Sequence, residues 1–254
     1  MRIRSIAASV KAGFVILLMS GTFTAAAEIK VIGLAGMTPL MKELAPQFER
    51  TTGHKLAMRF GSGAEGKRLI ESGEAFDVAI LNPVLIEELT NQSKIAAGTR
   101  TEIFRNGTGV VGRAGAAKPD IATVEAFRRA LLDAKSIAYS PGRASGIHVA
   151  KVLDRLQLAE QMKPRTKPQP APERVAQAVA EGEAELGFAA MNLLIGVRGT
   201  EVLGPFPAEL QDYIVFTAGL GAAAKEPQAA KMLMDFLKSE AAKSVMKAQG
   251  LEPL

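Results

Sequence analysis

Ile29-Lys30-Val31-Ile32-Gly33-Leu34-Ala35-Gly36-Met37-Thr38-Pro39-Leu40-Met41 is the stretch that decides the fold. An apolar, β-branched run stops at a turn of small residues and gives way to helical spacing. Ile29 to Leu34 reads as a buried strand. Thr38 reads as a hydroxyl cap with Pro39 at the first helical position. Leu40, Met41, Leu44 and Phe48 then recur as one face of a helix. Pro46 is a candidate kink, and Gly53 ends the segment.

The same unit repeats outward from there. Lys55 to Phe60 and Asp77 to Leu81 read as strands, each followed by a helix, over Glu65–Ser72 and from Pro83 to about Leu89. Thr108 to Val111 and Ser136 to Tyr139 read as further strands, with a helix over Val124–Leu132. The loop Ser140 to Ser145 leads into a helix ending near Leu156. Lys163 to Arg174 is rich in Pro and Lys and reads as an exposed connection. Val175–Glu181 reads as a helix, Glu185–Ala189 and Gln211–Gly219 as strands. Two helices, Pro227–Leu237 and Ser239–Gln249, close the chain. Such alternation predicts an α/β fold, with mostly parallel sheets carrying helices on both faces. Ligands of such sheets bind beyond the carboxyl ends of the strands.

The N-terminus has the pattern of a secretory leader. Arg2, Arg4 and Lys11 precede the apolar run Ala12–Gly21, and Ala25-Ala26-Ala27 supplies small residues for cleavage after Ala27. The apolar run is too short to span a bilayer. The chain has 31 Lys and Arg against 26 Asp and Glu. Without the leader the balance is 28 against 26, so the basic character gives no argument for nucleic acid. Cys is absent, which excludes disulfides, thiolate metal sites and a lipidated anchor. Trp is absent and Tyr occurs twice, so a sugar-stacking platform is not expected. The expected location is a Gram-negative periplasm.

Three strand-to-helix junctions concentrate Gly and Ser: Gly33–Pro39, Phe60–Gly66 and Tyr139–Gly146. Free N–H groups at helix starts, aided by the helix dipole, bind anions. Gly permits close backbone approach and Ser adds a hydroxyl donor. Arg143 lies in the third junction, where a guanidinium can clamp an oxyanion through two hydrogen bonds. Any α/β chain has some such turns; three in one exported chain point to an anion site.

Enzyme signatures are missing. Gly142-Arg143-Ala144-Ser145-Gly146 fails the spacing of a nucleophile elbow. No phosphate-binding loop or dinucleotide fingerprint occurs. His54 and His148 stand outside any zinc spacing, and Ser244 with Lys247 lies in an amphipathic helix. A secreted hydrolase would have to use His148 beside Ser140 or Ser145. No cofactor and no bare metal cation are expected.

In order and spacing the junctions resemble those of the periplasmic molybdate-binding proteins of ABC importers, within the type II periplasmic binding fold. The resemblance runs through Ile29–Met41, Thr52–Glu74, Asp77–Leu81, Gly146–Leu156, Ala180–Phe188 and the segment around Tyr213. It implies two α/β lobes, 28–106 plus 214–254 and 107–213, hinged by two crossover strands. It also implies a solute receptor, monomeric, that captures a small oxyanion for an inner-membrane ABC permease. The family's donors carry over to Gly36 with Met37 in the first junction, Ser62 and Gly63 in the second, Ser145 in the third, the backbone near Ala189, and Tyr213. Two hydroxyl positions thus become Gly36 and Gly63, while Arg143 is added. That pattern implies an alternative ligand, a small organic carboxylate held by Arg143, for import or as input to a sensor.

Overall fold

The computed structural model describes residues 26–254. The leader falls almost wholly on residues 1–25, outside the described part. The chain begins with β1 (Glu28–Leu34), a 3-10 turn (Ala35–Met37), α1 (Thr38–Thr52), β2 (Lys55–Gly61), α2 (Gly63–Glu71), β3 (Val78–Leu81) and α3 (Pro83–Asn91). It continues through β4 (Thr101–Asn106), β5 (Thr108–Arg113), α4 (Val124–Asp133), β6 (Ile137–Tyr139) and α5 (Ala144–Arg155). A short α6 (Ala159–Met162), β7 (Thr166–Pro168), α7 (Arg174–Glu181), β8 (Leu186–Ala190) and β9 (Thr200–Pro205) follow. The chain ends with β10 (Ile214–Leu220), α8 (Pro227–Phe236), α9 (Glu240–Ala248) and β11 (Glu252–Pro253). Among the described residues no helix is long and apolar enough to cross a membrane.

Two sheets result, in the orders β11-β4-β10-β3-β1-β2 and β7-β6-β8-β5-β9. Each is two-sided because its central strands are apolar on both faces. In β1 and β3, Ile29, Val31, Val78 and Ile80 pack into one core, with α1, α8 and α9. Ile32, Ala79 and Leu81 pack into another, with Ile70 of α2 and Ile86 and Leu89 of α3. The period of two that separates these sets is that of a strand. In the second sheet Val110, Ile137 and Phe188 face α4 and α5, while Val111, Ala138 and Ala189 face α7.

The sheets are mixed: four strand pairings are parallel and five antiparallel among the described residues. The parallel share is smaller than the alternation predicts, because three antiparallel pairings come from β4, β9 and β11, which sequence reading does not find. Lys163–Arg174 is also more ordered than expected. It contains edge strand β7, where Pro168 is tolerated, and the buried Gln169. Thr38 does not cap α1. The 3-10 turn runs directly into the helix, so Thr38 is already helical at φ −54° and ψ −47°. Gly53 does end α1, in the left-handed region at φ 77°.

The chain passes between the sheets at Gly107 and again at 206–213. The Gln211 side chain ties the two passages together. Its Oε1 accepts from the Thr108 N–H at 2.9 Å, and its Nε2 donates to the Thr108 carbonyl at 2.9 Å. Gly107 has no room for a side chain, since a Cβ would lie 2.9 Å from Gln211 Nε2. Gln211→Ala is expected to cost about 1–3 kcal/mol by stranding the buried Thr108 N–H, while the Thr108 carbonyl keeps the Phe206 N–H at 3.1 Å. Urea titration checks this, and an unchanged midpoint would show that the tie carries no stability.

Candidate functional site

A cleft of about 760 Å³ lies where the two sheets meet. Its walls are the carboxyl ends of parallel strands, as expected for such sheets. From the first sheet come Leu34, Ala35 and Gly36 after β1, Gly61 at the end of β2 and Asn82 after β3. Thr38, Pro39 and Lys42 of α1 stand beside them. From the second sheet come Ala144 and Ser145 at the start of α5, Pro172 and Glu173 before α7, Ala190 at the end of β8, and Asn192 and Leu193 after it. Asn106, Ile214 and Phe216 form the floor near the passages between sheets.

Of the residues expected at the site, the structure brings Gly36 and Ser145 into this lining. Ser145 is buried, and its hydroxyl makes no hydrogen bond among the described residues. It stands in the first turn of a twelve-residue helix, beside N–H groups without intrahelical partners. Arg143 is the exposed residue just before α5, next to the lining but outside it. Ser62 caps α2, its Oγ accepting from the Glu65 N–H at 3.1 Å. Met37 is fully buried in the first sheet's core, and Ala189 is buried against α7. Gly63 packs under Leu85, whose Cδ1 lies 2.8 Å from where a Cβ would sit.

Tyr213 faces away from the cleft. Ile214 and Phe216 line it, and alternation along an extended chain turns the odd-numbered neighbours to the other side. The Arg105 guanidinium lies 3.9 Å over the Tyr213 ring, and Arg105 pairs with Glu252 at 2.6 Å. Burial and Glu252 push the Tyr213 hydroxyl above its usual range. This cluster ties the C-terminal strand to the passage between sheets.

His148 forms no hydrogen bond with Ser140 or Ser145 among the described residues. Its ring packs against Phe206 at 5.6 Å, and its Nε2 is buried without a partner. Burial holds its imidazole below the ordinary range. The arrangement is that of a packed side chain. Among the described residues no three His, Asp or Glu gather into a metal site. A further hollow of about 450 Å³, between α5, α6 and β7, holds none of the expected residues.

The lining adds side chains that sequence reading does not single out. Asn82 caps α3, its Oδ1 accepting from the Leu85 N–H at 2.9 Å. Its signal was legible: an Asn before a Pro at the end of a predicted strand. Asn192 bridges the two walls. Its Oδ1 accepts from Asn106 Nδ2 at 2.8 Å, and its Nδ2 donates to the Gly36 carbonyl at 3.4 Å. Lys42 and Glu173 make no ion pair among the described residues, and nothing in their sequence context marks them.

Comparison with known proteins follows the same lines. The family model for bacterial extracellular solute-binding proteins matches residues 29–252. An aconitate isomerase of a Pseudomonas species is 29% identical over 248 residues, 94% of each chain. The molybdate-binding protein of Azotobacter vinelandii is 31% identical over 237 residues, 89% of this chain and 90% of the other. Among solved structures, the substrate-binding domain of a putative molybdenum ABC transporter from Clostridium difficile superposes with a TM-score of 0.80 at 18% identity. That match covers 90% of this chain and 100% of the other.

Proposed function

We propose that this chain, which belongs to the bacterial extracellular solute-binding proteins, is a periplasmic receptor that captures a small oxygen-bearing anion for an ABC importer. The observation that carries the reading is the α5 start. The Ser145 hydroxyl, on a buried residue and without a hydrogen-bond partner among the described residues, and free helix N–H groups line a cleft of the size that holds small ligands. The molybdate-binding relative supports an anion as the ligand.

In this reading residues 28–106 with 214–254 form one lobe and 107–213 the other. The lobes close over the ligand about Gly107 and the segment before Ile214. Asn192, which already reaches from the second sheet to Gly36, is part of the closing surface. Arg143 stands at the rim, placed to draw an anion towards α5. The closed form is what a permease in the inner membrane would receive.

Thermal shift of the exported protein against molybdate, tungstate, sulfate, phosphate and small carboxylates tests this. A ligand that binds only the folded state raises the melting temperature. At least one anion is expected to do so, and Ser145→Ala is expected to weaken that anion's binding roughly tenfold or more. No shift with any anion would remove the receptor reading.

One observation favours a second reading. The aconitate isomerase relative matches almost the whole chain, whereas most relatives of this family are binding proteins. Moving a double bond along such an acid requires a proton to leave one carbon and another to reach its allylic partner. Lys42 and Glu173 are the ionisable side chains in the lining that would carry them. Proton NMR of cis-aconitate with the protein decides: conversion that scales with protein concentration supports an enzyme, and an unchanged spectrum leaves a receptor.

A further inference from the structure

The cleft is built with two poles and, between its walls, a floor in which the apolar Phe216 and Ile214 lie beside the buried Asn106, whose Nδ2 is already spent on Asn192 and whose Oδ1 only accepts. One pole is the α5 start with Ser145, on the second sheet. The other is on the first sheet. Asn82 must point its carbonyl oxygen at the Leu85 N–H, because that group only donates, so its Nδ2 is turned away from α3. This Nδ2 has no acceptor among the described residues, and Asn82 lines the cleft. Gly63 helps to keep it uncovered, since a Cβ there would lie only 3.7 Å from it. Lys42, one turn into α1, adds an ammonium on the same wall, without an ion pair among the described residues.

The floor decides between ligand classes. At Gly36 a Cβ would sit 3.0 Å from Phe216 Cζ, so the ring crowds the place a serine side chain would take. Phe216 is fixed by stacking on Phe104 at 4.3 Å, and Leu34, Ile214 and Leu193 extend the apolar surface. A tetrahedral metal oxyanion would set oxygens against this hydrocarbon with no compensating hydrogen bond. A carbon skeleton would bury against it. Glu173 is the acidic side chain of the lining and Lys42 the basic one, so net charge favours neither class. Donor placement and the floor do.

We propose that the ligand is a small polycarboxylate that bridges the lobes, one carboxylate at the α5 start and another between Asn82 Nδ2 and Lys42. This rests on the anion-receptor reading and names its ligand class. Positioning on the first wall then falls to Asn82 and Lys42.

Calorimetric titration of the exported protein with acetate, succinate, tricarballylate and molybdate tests the proposal. Succinate or tricarballylate is expected to bind at least about a hundredfold more tightly than acetate, two charge-assisted contacts being added, and more tightly than molybdate. Asn82→Asp keeps an oxygen for the Leu85 N–H, so the cap and the melting temperature are retained. It replaces the donor by a negative charge, and Lys42→Gln removes the ammonium. Each is expected to reduce the preference for polycarboxylate over acetate about tenfold. Molybdate binding above every carboxylate, or a preference unchanged in both variants, would overturn the proposal while leaving the receptor intact. Binding of no anion at all would overturn both.

Discussion

Gly146→Ala is expected to destabilise the protein by about 3 kcal/mol or more and to disable the second-sheet pole of the cleft. The Ser140 carbonyl lies directly over Gly146, with its carbon 2.6 Å from where a Cβ would sit and Pro141 N at 3.2 Å. These are backbone atoms, so no side chain can rotate out of the way. The loop 140–143 would have to lift, and Gly142 already sits at φ 76° within it. Lifting it displaces the Arg143–Ser145 segment on which the proposed anion site depends. Stability and binding should therefore fall together. Urea titration combined with anion titration checks this. A variant of unchanged stability would show that the loop yields freely.

Asp77→Ala is expected to cost a similar amount, about 3–5 kcal/mol, for a different reason. The Asp77 carboxylate is buried and accepts three backbone N–H groups: Lys30 at 2.8 Å, Lys225 at 2.8 Å and Glu226 at 3.1 Å. It thereby fastens the start of α8 to the edge of β1 and β3. Truncation strands all three donors in a closed environment. Asp77→Asn, which keeps the shape and one acceptor oxygen, should lose less. Equal losses in the two variants, read from urea midpoints, would show that the carboxylate's charge rather than the stranded donors sets the cost.

The parts of the fold legible in the sequence are those written in local pattern. Ile29–Leu34 is apolar apart from the exposed Lys30 because both faces of β1 are covered, and Leu40, Met41, Leu44 and Phe48 recur as one helix face. By contrast β4, Thr101-Glu102-Ile103-Phe104-Arg105-Asn106, mixes charges with apolar residues and is a strand because β10 and β11 pair with it. Tertiary pairing of that kind leaves little local trace. Thr38 was a sound cap by composition, yet the 3-10 turn before it had already begun the helix.

At the site, legibility followed the same rule. Ser145 and Gly36 reach the cleft lining from junctions whose geometry is local. Tyr213 does not, because one step of strand alternation decides which face it takes, and Ile214 and Phe216 hold the cleft side. Asn192 reaches the cleft only through the meeting of two sheets distant in sequence. Lys42 is an ordinary surface lysine until the fold places α1 at the cleft.

The most direct test of the central claim is a titration followed by the backbone amide resonances of the exported protein. If an anion seats at the start of α5, the Ala144, Ser145 and Gly146 amides shift together and saturate at one stoichiometric equivalent of the anion that binds. Saturable shifts centred instead on the hollow around Tyr139, Asp154 and Lys163, with the Ala144–Gly146 amides unmoved, would contradict the account.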